Sequence, residues 1–298
     1  GIDSQKVLIN GTSHGDPAIW ESNDNGQSYM CRVTRDPATG TTFPVDTWAM
    51  AGKDSLYISS YNGTQGLIYQ TSNSGFFYSE GKPVGNNPLY TIALSPDYEI
   101  DGNILVGNAN GWVYWSDDNG TSYQPLPLDA AAPPLTGNVA VAFDPAFNTN
   151  HTVYAASDTA DEGIFRFIVG QSTAWESIDA TLPAGAIVNR LAVSSDGILY
   201  AINMHANDGM ERSLNPQYAS GPTFETVADG LSAGSVLSGL WQRDRRLWTI
   251  DTANGKLMTY NDTLASPSTQ VSPENDIASI GSLVDHTVRN ITIDWETI

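Results

Sequence analysis

Cysteine is almost missing. A single thiol, Cys31, stands in 298 residues, so no disulfide can form within the chain. The alternation of Tyr29, Cys31 and Val33 with Met30 and Arg32 makes that thiol a small hydrophobe on a strand face. Basic residues are also scarce, 13 Lys and Arg against 33 Asp and Glu, for a formal net charge of −20. Such a surface repels phosphate backbones and anionic headgroups, which argues against nucleic acid and membrane surfaces as partners. No apolar run approaches the roughly 18 residues of a bilayer span, and no basic, apolar leader opens the chain. The expectation is a soluble chain, either mature or cut from something longer. The four histidines, His14, His151, His205 and His286, lie far apart without paired spacing, which argues against zinc. Helical periodicity is almost absent. Its one tolerant stretch, Leu128 to Ala132, runs into Pro133-Pro134 and reads as a loop.

What is present is a repeat. Its cleanest copy runs from Leu89 to Leu126: apolar runs at Thr91 to Leu94, Ile104 to Gly107 and Trp112 to Trp115, separated by turn signals including Asn110-Gly111. A turn of form Ser/Thr-x-Asp/Asn-x-Gly-x-x-aromatic then leads into a fourth strand. Three stretches match it: Ser22, Asp24, Gly26 and Tyr29; Thr71, Asn73, Gly75 and Tyr78; Ser116, Asp118, Gly120 and Tyr123. The third-position carboxylate or amide can accept backbone N–H bonds within the turn, glycine supplies positive φ, and the aromatic returns to the core as a peg. The turns begin at residues 22, 71 and 116, the 40-to-50-residue interval of four-stranded propeller blades. A second repeat is independent of the first: Ser95-Pro96-Asp97-Tyr98 aligns with Asp144-Pro145-Ala146-Phe147, each ahead of a strand.

Six units follow, and the fold expected is an all-β propeller of four-stranded antiparallel blades, six in number with seven as the alternative. The first unit lacks its opening strand. Either the far end of the chain supplies it or it lay upstream. Residues 1–272 form the propeller on this reading. The segment 273–298, with its alternating Val288 to Glu296, either closes the ring or begins a truncated immunoglobulin-like sandwich.

On these turns and their spacing the chain resembles the Asp-box, or bacterial neuraminidase repeat, propellers, strongly in units one to three and weakly in five and six. That superfamily includes sialidases, xyloglucan-type endoglucanases, sortilin-like receptors, a photosystem assembly factor and repeat proteins of microbial cell surfaces. Fold transfers across it better than function. The sialidase arginine motif is not matched: its nearest string, Phe165-Arg166-Phe167-Ile168, lies in the fourth unit and lacks proline. Glycoside hydrolysis needs two carboxylates across a cleft, and no local motif selects a pair from 33 acids.

The resemblance therefore implies a non-enzymatic extracellular protein of a cell surface or surface layer, assembling through propeller contacts with itself or with other surface proteins. A glycan-binding or polysaccharide-hydrolysing propeller is the alternative, with Trp112, Trp115, Trp241 and Trp248 as aromatic-platform candidates. No cofactor is required on this reading; calcium is the cation that Asp97, Glu99 and Asp101 would take. Sequons at Asn10, Asn62, Asn119, Asn150, Asn261 and Asn290 are N-glycosylation candidates.

Overall fold

The computed structural model describes residues 6–205, 209–219, 221–228, 230–243, 246–262 and 291–293. The chain is a six-bladed, all-β propeller with almost no helix. Blade one contains β1 (Val7–Ser13), β2 (Asp16–Ser22) and β3 (Met30–Val33), and blade two β4 (Trp48–Met50), β5 (Leu56–Tyr61), β6 (Gly66–Thr71) and β7 (Lys82–Pro83). Blade three is β8 (Leu89–Leu94), α1 (Tyr98–Asp101), β9 (Ile104–Asn108), β10 (Val113–Ser116) and β11 (Gln124–Pro125). Blade four is β12 (Val139–Phe143), α2 (Phe147–Asn150), β13 (Thr152–Ser157), β14 (Ile164–Ile168) and β15 (Glu176–Ser177). Blade five is β16 (Val188–Val193), β17 (Leu199–Asn203), β18 (Gly209–Ser213) and β19 (Glu225–Val227). Blade six shows three strands among the described residues, β20 (Leu237–Arg243), β21 (Arg246–Asp251) and β22 (Lys256–Asn261). The expected fourth strand at Thr269 to Val271 lies outside the described residues.

The last described strand, β23 (Ile291–Ile293), pairs antiparallel with β1, Val7 opposite Ile293 and Ile9 opposite Ile291. Blade one thus has the order β23-β1-β2-β3, and the far end of the chain supplies the strand that the first unit lacks.

The chain divides into two compact units, and the apolar clusters below fall within one or the other. In the first, Leu8 and Ile19 of blade one pack with Trp48, Leu56 and Ile58 of blade two, while Tyr57 and Ile68 turn to Leu89, Ile104 and Val106 of blade three. Alternate residues of β5 thus serve opposite faces, as the two-residue period of a strand requires. In the second unit, Leu199 and Ala201 face Tyr154 and Ile164 of blade four, while Tyr200 and Ile202 face Leu237 and Leu247 of blade six. Because both faces are covered, β9, β13 and β17 are buried along their whole length and read as continuous runs of apolar and small residues.

The Pro-x-aromatic repeat is a matched pair of structures. Each loop contains a one-turn helix closed by a left-handed residue, Gly102 after α1 and His151 after α2. Ser95 Oγ donates to Asp101 Oδ2 at 2.6 Å, and Asn150 Nδ2 donates to Asp144 Oδ1 at 2.8 Å. It is one bond, between residues six apart, with donor and acceptor exchanged. In blade five the strand β18 is not expected from the sequence, which shows no apolar run between Ile202 and Ser213. Its sequence, Gly-Met-Glu-Arg-Ser, hides a strand because Glu211 is fully buried, accepting from Asn203 Nδ2 at 3.0 Å and Thr226 Oγ1 at 2.9 Å.

Candidate functional site

The three Ser/Thr-x-Asp/Asn-x-Gly turns share one geometry. Ser22 Oγ donates to Asp24 Oδ1 (2.7 Å) and accepts from the Gly26 N–H (2.8 Å), and Asp24 Oδ1 accepts from the Ser28 N–H (2.9 Å). Thr71 and Asn73 repeat this with Gly75 and Phe77, as do Ser116 and Asp118 with Gly120 and Ser122. Two successive residues have positive φ in every copy, Asn25 and Gly26, Ser74 and Gly75, Asn119 and Gly120. Hydrogen bonds from the Ser28 hydroxyl and amide, then from Ser22, hold the Asp24 carboxyl down to about 2.

The aromatic eighth residue closes two of the turns as expected: the hydroxyls of Tyr78 and Tyr123 are buried. Burial pushes both upward. Tyr29 keeps the same placement, its hydroxyl above Gly26 as those of Tyr78 and Tyr123 lie above Gly75 and Gly120, but it is 41% exposed.

Around this exposed tyrosine the first unit shows a feature that the other turns lack. Positions six and seven are Gln27-Ser28 in the first turn and Thr121-Ser122 in the third, and both serines donate to the turn carboxylate. The second turn has Phe76 and Phe77 there, 58% and 76% exposed. The Arg32 guanidinium lies over the Phe76 ring, 3.9 Å from its centroid, and beside the sulfur of Met30, itself exposed. Arg32 donates to Ser74 O at 2.7 Å and is ion-paired with Glu21 at 2.5 Å. Glu21 also pairs with the buried Lys6 at 2.6 Å, and Lys6 reaches Asp54 and Ser74. Burial opposes ionisation of Glu21, but hydrogen bonds from Lys6 and Ser74 and the charges of Lys6 and Arg32 outweigh it and hold the carboxyl below its usual range. A buried ionic network therefore fixes Arg32, and Arg32 backs the exposed side chains of Met30 and Phe76. Aligning the three turns position by position would have exposed the Phe76-Phe77 anomaly in the sequence. The contribution of Met30 and Arg32 needs the fold, because Arg32 comes from the preceding blade.

The other candidates are dispersed. Asp101 is spent on Ser95 and on the Asn103 N–H (2.9 Å), Glu99 is exposed, and Asp97 precedes α1 without capping it through its side chain. Among the described residues no three His, Cys, Asp or Glu side chains converge on a metal position. Arg166 is committed to Glu176 and to Pro216 O. Trp115 donates to Asn103 Oδ1 at 2.7 Å, Trp248 lies opposite Trp241 in β20 and β21, and Trp112 is half-buried. Of the sequons, Asn62 and Asn119 are exposed and Asn261 is half-buried. Asn10 is buried with its amide donating to Val45 O (2.9 Å), Asn150 is held by Asp144, and Asn290 lies outside the described residues.

No protein-family model and no curated protein sequence matches the chain. Solved structures do. YCF48 bound to a D1 peptide superposes with a TM-score of 0.58 at 17% identity, over 87% of this chain and 75% of that one. The GH74 xyloglucanase from Xanthomonas campestris gives 0.58 at 17% identity, over 87% of this chain and 44% of the enzyme, so the chain spans under half of that protein. A nidogen/laminin complex gives 0.53 at 14% identity, over 86% and 89%. At these identities the likeness establishes the propeller fold alone.

Proposed function

We propose that the chain is a non-enzymatic, extracellular propeller of the Asp-box type, a cell-surface component that works by holding another protein. The carrying observation is the exposed pair Phe76 and Phe77, on a turn motif whose other copies are polar at the same two positions, with Arg32 over Phe76 and beside the exposed Met30. Large apolar side chains gathered at one place on a strongly acidic protein point to a contact surface. Two of the similar folds are of proteins captured with a protein or peptide partner, YCF48 with a D1 peptide and nidogen with laminin, which supports the reading as a use to which this fold is put. The segment 273–298 serves, on this account, to complete blade one through β23.

A second reading, calcium-bridged self-association in a surface lattice, draws on the net charge of −20. Light scattering and electron microscopy at rising calcium separate the two: a monomer at every calcium concentration fits capture of a different protein, and cation-dependent sheets or rings fit the lattice. Release of reducing sugar from xyloglucan, or of sialic acid from a sialoside, would contradict both.

A further inference from the structure

The proposed contact surface adjoins an open sheet edge. Thr34 N–H donates to Pro17 O at 3.0 Å, which fixes the parity of the β2–β3 ladder. Met30, Arg32 and Thr34 aim their backbone groups at β2, and the intervening Cys31 and Val33 aim theirs away. Pro17 has no N–H to return, and the Thr34 carbonyl accepts instead from Phe43 N–H at 3.3 Å. The N–H and C=O groups of Cys31 and Val33 face outward at the edge of blade one, with no strand beyond them among the described residues.

Other four-stranded blades blunt this edge. Strands β7, β11 and β15 are two residues long, the first two ending on Pro83 and Pro125, and β15 and β19 open on glutamate. Strand β3 has four residues and no proline, and its one charge, Arg32, is spent on Glu21. Main-chain groups at an open strand edge are either solvated by water or paired by a further extended strand, and only the second reads them in register.

Resting on the interaction reading above, we propose that β3 takes up an extended, basic and apolar segment of a partner protein as an added outer strand. Main-chain bonds to Cys31 and Val33 supply the register, and Met30 and Phe76, both beside Arg32, meet alternate apolar side chains of the segment. Its basic character follows from charge. The charges at the site pair off, Lys6, Lys53 and Arg32 against Glu21, Asp54 and Asp24, and the chain as a whole carries −20, which attracts a basic segment. The same charge opposes a second copy as the occupant, since two such chains repel.

The test is selection of a displayed library of random peptides on the intact chain and on Cys31→Pro. That variant removes one outward N–H and copies the proline device of β7 and β11; Val33→Pro repeats the test at the other outward position, and circular dichroism confirms the fold of each. Expected are peptides of alternating apolar and basic residues that lose about tenfold or more in affinity on Cys31→Pro. Backbone N-methylation should have the same effect at every second peptide residue only. Peptides that bind both chains equally but lose binding to Phe76→Ser/Phe77→Ser would overturn strand addition and leave the interaction reading standing. No enrichment on the intact chain would overturn both. A dimer of the chain that Cys31→Pro abolishes would give the edge to a second copy and overturn the proposed occupant.

Discussion

Lys6 shows how much of this surface is decided below it. Its ammonium is buried between Glu21, Asp54 and Ser74, and Glu21 in turn holds Arg32 beneath Phe76. Removing one member of a buried ionic group leaves the others desolvated and underpaired, at about 3 kcal/mol. Lys6→Ala should therefore lower the thermal midpoint by roughly 5 °C for a chain of this size, which a calorimetric melt checks. The same network gives an acid limit. The folded-state pKa of Glu21 lies below its ordinary 4.5, so its contribution is present above that value and lost as pH falls through the depressed one. Denaturant titrations from pH 6 to pH 3 should show the loss, and Glu21→Gln should flatten it. Phe77 behaves oppositely. It is 76% exposed at a position where the other two turns carry serine. Phe77→Ser should leave stability within about 0.5 kcal/mol of wild type by urea denaturation, so any loss of partner binding in that variant is a surface effect.

At the scale of elements, repeats were legible where chemistry repeats. The three turns were recognisable because their hydroxyl, carboxylate or amide, and glycine are required by the same hydrogen bonds and the same positive φ. The Pro-x-aromatic loops were recognisable for a similar reason, although the exchange of Ser95/Asp101 for Asp144/Asn150 disguises their common bond. Strand β18 was not legible, because its buried Glu211 reads as a surface residue until Asn203 and Thr226 are brought beside it. The exposure of Tyr29 was hidden too: whether an aromatic is a peg depends on what packs above it, which a local motif does not record. Strand β23 could be read only as one of two alternatives, since pairing across nearly the whole chain leaves no local trace. Its pairing with β1 carries a prediction. Deleting residues 284–298 exposes the inner edge of β1 and should lower the thermal midpoint while opening the amides of Val7–Ile9 to hydrogen exchange; unchanged protection there would show that β23 contributes nothing.

Within each of the two units neighbouring blades are held by apolar layers, with tyrosines set into them. Tyr57, Tyr154 and Tyr200 stand in the central strands of blades two, four and five, and each hydroxyl has a partner: Asn119 O at 2.9 Å, Asp144 Oδ2 at 2.9 Å and Asp262 Oδ2 at 2.7 Å. Burial pushes all three well above the ordinary value of 10, helped by the Tyr98 hydroxyl at Tyr57 and by the carboxylates of Asp144 and Asp262 at the other two. A phenol whose folded pKa is raised contributes stability fully below pH 10, and that stability is lost as pH climbs beyond it. The chain should accordingly unfold cooperatively at alkaline pH, with the share of tyrosinate absorbance that belongs to these buried phenols rising in step with loss of the β signal, a share that Tyr57→Phe, Tyr154→Phe and Tyr200→Phe variants identify.

The claim that organises this account is that one surface of the first unit, around β3 and the second turn, meets a partner protein. A photo-crosslinking residue placed at Phe77, with the exposed Leu128 of the second unit as control, tests it most directly in native cell-envelope material. The account predicts a discrete adduct with a second protein from position 77, absent from position 128 and lost with Phe76→Ser. Equal labelling from both positions, or none from position 77, would contradict it.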